Sequence, residues 1–107
     1  GEDKFDLLPV SVKTLDTYSE EKGLRKIDFI KIDVEGFEWS VLQGGRQTIA
    51  QTRPYILLEY DEVRHGPQKQ EFAEYFSSLN YDVFEFYVLE GNPILMPYDF
   101  SRNPVFR

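Results

Sequence analysis

The apolar positions of the chain follow two different periods, which divide it into strands and helices. β-branched and aromatic residues crowd into short runs that predict strands, whereas apolar residues spaced three to four positions apart predict helices. The predicted strands are 27–34, 55–60, 81–89 and 94–96. The predicted helices are 15–22, 37–52 and 68–79. The resulting order is helix, strand, helix, strand, helix, strand, strand.

This alternation predicts an α/β fold with a mostly parallel sheet, right-handed crossovers and helices on both faces. Only a tight turn at 90–93 separates the last two strands, so they are predicted to form an antiparallel hairpin. The nearly continuous apolar run at 55–60 is typical of a strand covered on both faces. No repeat or linker divides the chain, which predicts one domain.

Residue types that begin and end helices set several boundaries. Thr14 is predicted to cap the first helix, with Leu15 and Tyr18 facing inward, and Gly23 is predicted to end it. Asn80 is predicted to end the third helix in the left-handed conformation. Three further segments lie outside the helices: an extended stretch at 10–12, a polar loop at 61–67 and a partly disordered tail at 97–107.

Composition and charge narrow the classes of function. With 41% apolar and 29% charged residues, the chain is predicted to fold. Its 19 acidic and 12 basic residues give a net charge of −7, which disfavours a nucleic-acid partner. The lack of cysteine excludes disulfides and thiolate metal sites and fits a reducing cytoplasm. No apolar run approaches the ~20 residues that span a bilayer, so we expect a cytoplasmic protein without a membrane partner.

Carboxylates gather where a parallel sheet places its ligands. Asp33 and Glu59 end the two long apolar runs, and Glu35 and Glu38 follow Asp33 closely. Such sheets bind ligands beyond the carboxyl ends of their strands. Carboxylates there could bind a hard cation, accept a proton from a substrate hydroxyl or contact a cationic cofactor. Glu35 and Glu38 have an equally good structural explanation, because acidic residues complement a helix N-terminus.

Four segments of the chain form an ordered set of motifs: VKTLD at 12–16, IDFIKIDVEGFE at 27–38, VLQGG at 41–45 and RPYILLE at 53–59. In this order they resemble the FkbM family of S-adenosylmethionine-dependent methyltransferases. The KIDVEG core with its following Glu is fairly specific, and the ordered set of four is more so. The segments after residue 60 agree with the fold but add no motif.

The resemblance implies part of a Rossmann-like class I methyltransferase fold and, as the activity, O-methylation of a hydroxyl on a sugar, glycan or natural product. It places Asp33 in the methyl-transfer region, as our first choice for a catalytic base or a metal ligand. Glu59, at the neighbouring strand end, is the second catalytic candidate. Asp33 and Glu35 would contact S-adenosylmethionine, Glu38 and His65 would contact the acceptor, and a divalent metal is left open.

The chain also departs from the family pattern. It has no Gly-rich turn after an early strand and no acidic residue one strand later to hold a ribose. We therefore expect residues 1–107 to be the C-terminal portion of a methyltransferase domain, without its cofactor-binding half and inactive alone. The first long strand would then be an exposed apolar edge, which predicts homodimers or aggregation.

Several alternatives stay open at this point. The chain could be a non-catalytic interaction module derived from a methyltransferase. A response-regulator-like module that binds Mg²⁺ fits poorly, because it needs an acidic pair after its first strand and a later Lys. His65, the single histidine, is better explained as a solvated loop residue than as a base. Trp39, Phe72 and Phe76 are predicted to pack in the core.

Overall fold

The computed structural model describes residues 12–100. The extended stretch predicted at 10–12 therefore falls mostly outside the described residues, as does the tail beyond Phe100. The helices are α1 (Leu15–Lys22), α2 (Glu38–Gly44), α3 (Arg46–Thr52), α4 (Glu62–His65) and α5 (Lys69–Ser78). The strands are β1 (Phe29–Ile32), β2 (Tyr55–Leu58), β3 (Phe84–Leu89) and β4 (Asn92–Pro97). The order of elements matches the prediction except that one predicted helix is divided into α2 and α3 and that the short helix α4 was not predicted.

The first two strands form the predicted parallel pair. In its register Phe29 lies opposite Tyr55, and Ile32 lies opposite Leu58. The connection through α2 and α3 carries the chain from the carboxyl end of β1 back to the level of its amino end, where β2 begins in the same direction. The carboxyl ends of β1 and β2 therefore lie side by side.

One face of this parallel pair packs on the helices. Ile32 belongs to the buried core, and the residues that share its face, Ile30, Ile56 and Leu58, pack against that core. The remaining core residues come from the helices and the residue that follows α5. They are Leu42, Ile49, Phe72, Tyr75, Phe76 and Leu79. Trp39 packs on the rings of Phe72 and Tyr75, so the predicted core roles of Trp39, Phe72 and Phe76 are confirmed.

The opposite face of the pair is open. Tyr55 is 82% exposed, Phe29 is 58% exposed and Leu57 is 51% exposed. Helices on both faces, and a β2 covered on both faces, are therefore wrong for residues 12–100. The apolar content of these strands was correctly detected, but no described helix packs on this second face.

The predicted antiparallel hairpin is present. β3 pairs with β4 from Phe84 opposite Pro97 to Leu89 opposite Asn92. Glu90 and Gly91 connect the strands with φ of 50° and 79°, the positive values that two-residue hairpin turns favour. Within the described residues, this hairpin and the parallel pair are separate two-stranded sheets. The single continuous sheet that was predicted is therefore not formed between residues 12 and 100.

The helix predicted at 37–52 is two helices that meet at Gly45. A Cβ atom on Gly45 would lie 2.9 Å from Leu15 Cδ2, and one on Gly44 would lie 3.0 Å from Thr14 Cβ. The start of α1 therefore lies directly against the junction of α2 and α3. The break occurs where the two glycines permit this close approach, and helical periodicity alone does not reveal it.

The predicted helix boundaries hold at several positions. Thr14 Oγ1 accepts a hydrogen bond of 3.1 Å from Thr17 N, and Gly23 and Asn80 are left-handed with φ of 64° and 59°. The inward orientation of Tyr18 is wrong, since Tyr18 is exposed and Ser19 is buried. The close approach of α1 at Gly45 turns the Ser19 side of that helix inward instead.

The segment at 61–67, predicted to be a polar loop, is largely helical. Asp61 Oδ1 accepts hydrogen bonds from Val63 N at 2.9 Å and Arg64 N at 3.3 Å, and so caps the short helix α4. A 3₁₀ turn (Gly66–Gln68) then leads into α5. Among residues 12–100, no helix combines the length and the apolar character needed to span a bilayer.

Candidate functional site

Two carboxylates meet at the carboxyl edge of the parallel pair. Glu59 N donates to Ile32 O at 3.1 Å, which holds the ends of β1 and β2 together. Asp33 and Glu59 follow these ends, and both are exposed. The negative charge of Asp33 and a hydrogen bond with its carboxyl raise the pKa of Glu59 above the ordinary 4.5, and the charges of Glu38 and Glu35 add to this effect. The structure thus brings the two catalytic candidates together, and their catalytic role stays a prediction.

Glu35 lies in a tight turn between β1 and α2. It adopts a left-handed conformation with φ of 52°, and Gly36 follows with φ of 99°. The φ of Gly36 strains any residue with a Cβ atom, so this position favours glycine for its conformation. An added Cβ atom would also lie 2.9 Å from Arg64 Cδ, a side-chain atom that could shift. Glu35 is exposed, and its charge helps to raise the pKa of Glu59, so it contributes to the negative charge of this edge. Contact with a cofactor stays a prediction for it.

Glu38 differs from the other three acidic candidates because it is buried, with 1% of its surface exposed. Its Oε2 accepts from Val34 N at 2.9 Å, and its Oε1 accepts from Gly36 N at 2.9 Å and from His65 Nε2 at 2.9 Å. Burial by itself acts to raise the pKa of Glu38, but these hydrogen bonds together lower it below the ordinary 4.5. Both carboxylate oxygens are therefore engaged inside the protein.

The solvated loop position expected for His65 is wrong, because His65 is only 2% exposed. Asp61 N donates to Nδ1 at 2.8 Å, a closer contact than the 3.2 Å to Asp61 O. Nδ1 is therefore the acceptor, and Nε2 carries the proton that it donates to Glu38. The ring stacks on Tyr60 at 5.2 Å and meets the edge of Phe72 at 5.4 Å. Substrate contact by Glu38 and His65 stays a prediction, and their burial argues against it.

The spacing of three acidic groups would suit a cation. One carboxylate oxygen from each of Asp33, Glu38 and Glu59 lies within 4.8 Å of the others. The Glu38 oxygens already accept three hydrogen bonds, however, which leaves the two exposed carboxylates. A metal ion has no further support in the described residues, and metal dependence, which the sequence left open, stays open. A groove of about 730 Å³ lies elsewhere, between α5 and the hairpin.

The pairing of Glu38 with His65 could not be predicted from sequence, since the two residues are 27 positions apart. One local signal was available for the position of His65. Asp61 stands just before Glu62-Val63-Arg64, an arrangement typical of a helix N-cap. A short helix there would have indicated that His65 lies at a helix end rather than in a solvated loop.

Comparison with known proteins agrees with this geometry. Residues 2–86 match the family model described as the methyltransferase FkbM domain. The 2-O-methyltransferase NoeI of Sinorhizobium fredii is 45% identical over 56 residues, which cover 50% of this chain and 23% of that protein. The chain thus spans about a quarter of the length of this curated relative. No solved structure matches the chain.

The described residues form an α/β segment with a parallel strand pair, an antiparallel hairpin and an acidic carboxyl edge. The family match covers most of the chain and includes Asp33, Glu35, Glu38, Glu59 and His65. The chain belongs to the FkbM methyltransferase family, as its sequence motifs predicted.

Proposed function

We propose that this chain supplies the proton-accepting side of an S-adenosylmethionine-dependent O-methyltransferase site. Asp33 is the base for the acceptor hydroxyl, and Glu59 is its partner at the neighbouring strand end. The observation that carries the proposal is the meeting of these two exposed carboxylates at the carboxyl edge of β1 and β2, in a chain of the FkbM family. Ligands of open parallel sheets bind at this edge.

The charge of the edge fits the cofactor that such methyltransferases use. When bound, S-adenosylmethionine supplies an electrophilic methyl group on a positively charged sulfonium. Asp33, Glu35 and Glu59 are exposed carboxylates near one edge of the strand pair. Their negative charge would attract the positive charge of the sulfonium. Asp33 and Glu35 are accordingly the proposed cofactor contacts, and a carboxylate oxygen of Asp33 takes the proton of the acceptor hydroxyl.

The acceptor is proposed to be a hydroxyl group on a sugar, glycan or related small molecule. The relative NoeI is named a 2-O-methyltransferase, which supports an oxygen acceptor. Carboxylates that accept hydroxyl protons are also the groups such a reaction needs. A cytoplasmic location and the lack of nucleic-acid or membrane partners stay predictions.

The proposal is tested by methyl transfer from labelled S-adenosylmethionine to a panel of hydroxylated sugars. The protein assayed is the product of the complete reading frame that contains residues 1–107. Asp33→Ala should lower kcat by at least ~10²-fold, because it removes the base. Asp28→Ala is the matched control, since Asp28 is an exposed carboxylate directly before the first residue of β1, at the end of the strand away from Asp33.

Two results would count against this assignment. Near-normal kcat in Asp33→Ala would remove Asp33 from the role of base. Absence of methyl transfer to every acceptor, with the control protein folded, would contradict the enzymatic function itself.

A second candidate function is a non-catalytic module that pairs with another copy of itself. The open face of the parallel pair favours it, because Phe29, Tyr55 and Leu57 expose more than half of their surface. Exposed apolar side chains on a sheet that also has free edges are typical of association surfaces. Under this alternative, the carboxylates would have no part in function.

A further inference from the structure

We propose that the buried Glu38–His65 pair is a clamp that sets the spacing of Asp33 and Glu59. The clamp is the hydrogen bond from His65 Nε2 to Glu38 Oε1, 2.9 Å long, between two side chains that are almost fully buried. Glu38 and His65 are positioning residues in this proposal, because they act through the carboxylates. The proposal rests on the proposed function only in treating Asp33 and Glu59 as the reacting groups.

The first half of the clamp shapes the connection after β1. Glu38 accepts the backbone N–H groups of Val34 and Gly36, each at 2.9 Å. Both donors lie within three residues of Asp33. The conformation of the turn that presents Asp33 is therefore held from inside by one carboxylate.

The second half shapes the connection after β2. His65 Nδ1 accepts the N–H of Asp61 at 2.8 Å, and the Asp61 carboxylate caps α4, which ends at His65. Tyr60, the residue after Glu59, stacks on the imidazole with an interplanar angle of 22°. The chain from Glu59 to His65 is thus folded around the same ring that reaches Glu38.

The two halves meet at two points. One is the His65–Glu38 hydrogen bond, and the other is the close approach of the Arg64 side chain to Gly36, where an added Cβ atom would lie 2.9 Å from Arg64 Cδ. Loss of the hydrogen bond should loosen the spacing of the two connections, while the hydrogen bond from Glu59 N to Ile32 O still joins the strand ends. With Nδ1 as an acceptor the imidazole is neutral, so the link is a hydrogen bond from a neutral ring to a buried carboxylate rather than an ion pair. A defined geometry of the two strand ends is what we infer that this directed hydrogen bond adds.

The test separates the two hydrogen bonds of the imidazole. His65→Asn keeps an acceptor near Asp61 N but is too short to reach Glu38, whereas His65→Gln can reach Glu38 with its amide N–H. Tyr75→Phe is the control, because it removes another buried hydrogen bond, from Tyr75 Oη to Leu42 O at 2.5 Å, away from the carboxylates. Folding of each variant is checked by its amide NMR spectrum.

The first readout is the NMR titration of the Glu59 side-chain carboxyl in this chain. The groups whose charge raises the pKa of Glu59 are Asp33, Glu38 and Glu35. In His65→Asn the spacing should widen, and the Glu59 titration should move down toward its ordinary range. His65→Gln should restore most of the shift, and Tyr75→Phe should leave the titration unchanged.

The second readout is turnover of the complete protein. A displacement of about 1 Å can lower a rate by ~10²-fold, so kcat of His65→Asn should fall ~10- to 100-fold with KM little changed, and His65→Gln should recover most of it. A folded His65→Asn with wild-type titration and wild-type kcat would overturn the clamp. Equal shifts in Tyr75→Phe would do the same, because they would show general loosening.

Two safeguards keep the test decisive. Should His65→Asn fail to fold, Glu38→Gln is used, which keeps the side-chain shape but cannot accept from Val34 N and Gly36 N together with His65. Its readout is kcat, because loss of the Glu38 charge lowers the pKa of Glu59 by itself. Absence of methyl transfer in the unmodified protein would contradict the proposed function alone, since the Glu59 titration still tests the clamp.

Discussion

At the scale of single residues, the candidate site works against the stability of the fold that carries it. Asp33 raises the pKa of Glu59 above 4.5, so the folded state holds that proton more tightly than the unfolded state does. Ionisation of Glu59 therefore disfavours the folded state. This penalty is absent at pH values below the ordinary pKa of 4.5 and is fully present at pH values above the raised pKa of the folded state. Functional sites commonly reduce stability in this way.

Glu59→Gln should therefore make the protein more stable at neutral pH while it lowers turnover. The gain in the free energy of unfolding should grow as pH rises through the raised pKa and vanish below the ordinary value of 4.5. Urea unfolding at pH values below and above the ordinary pKa of Glu59 measures this gain. Glu20→Gln is the control for loss of one exposed surface charge. Lower stability of Glu59→Gln at neutral pH would contradict the repulsion between the two carboxylates.

At the scale of elements, one carboxylate joins the first helix to the crossover. Asp16 Oδ1 accepts from Thr48 N at 2.8 Å and Thr48 Oγ1 at 2.6 Å, and Oδ2 accepts from Gln47 N at 3.2 Å. These N–H groups belong to the first turn of α3, where backbone donors lack partners within the helix. Asp16 thus acts as an N-cap supplied by another helix.

Asp16→Ala should destabilise the protein by about 1–2 kcal/mol, as loss of a helix cap typically does. Thermal and urea unfolding measure the change. Asp28→Ala makes the same chemical change at an exposed position whose ion pair with Lys26 Nζ spans 3.9 Å, and it should stay within about 0.5 kcal/mol of the parent. A loss at Asp16 no larger than that at Asp28 would show that the cap adds nothing.

At the scale of the whole molecule, the open face of the parallel pair is the feature that most affects behaviour in solution. Phe29, Tyr55 and Leu57 are exposed there, and they lie on one face of a parallel pair whose outer edges are also open in the described residues. Burial of such side chains is favourable by about 25 cal/mol for each Å² removed from water. Association with a second copy would bury them.

We predict that this chain dimerises in solution with a concentration-dependent sedimentation coefficient. The double substitution Tyr55→Lys and Leu57→Lys should shift it to monomer, because burial of two charges at the contact is unfavourable. Val12→Lys is the matched control, since Val12 is 90% exposed and lies outside the strands. Sedimentation as a monomer at every concentration would refute the predicted homodimer and, with it, the self-pairing module.

Much of the fold could be predicted because local patterns determine it. Apolar period and turn residues located β1, β2, the hairpin and the start and end of α1, and four motifs pointed to the FkbM family. The position of Asp33 and Glu59 followed from one rule, that parallel strands bring their carboxyl ends to one edge. These features depend on residues near one another in the chain, or on topology alone.

Only the tertiary structure decided the rest, because contacts between distant segments control it. The break at Gly45 depends on how closely Leu15 approaches, and the exposure of Tyr55 depends on which face the helices cover. Glu38 and His65 are polar residues whose burial becomes favourable only when each satisfies the other. Sequence by itself determined most of the elements, the family and the acidic edge. Packing determined where the helix at 37–52 divides, which carboxylates face solvent and which lie inside.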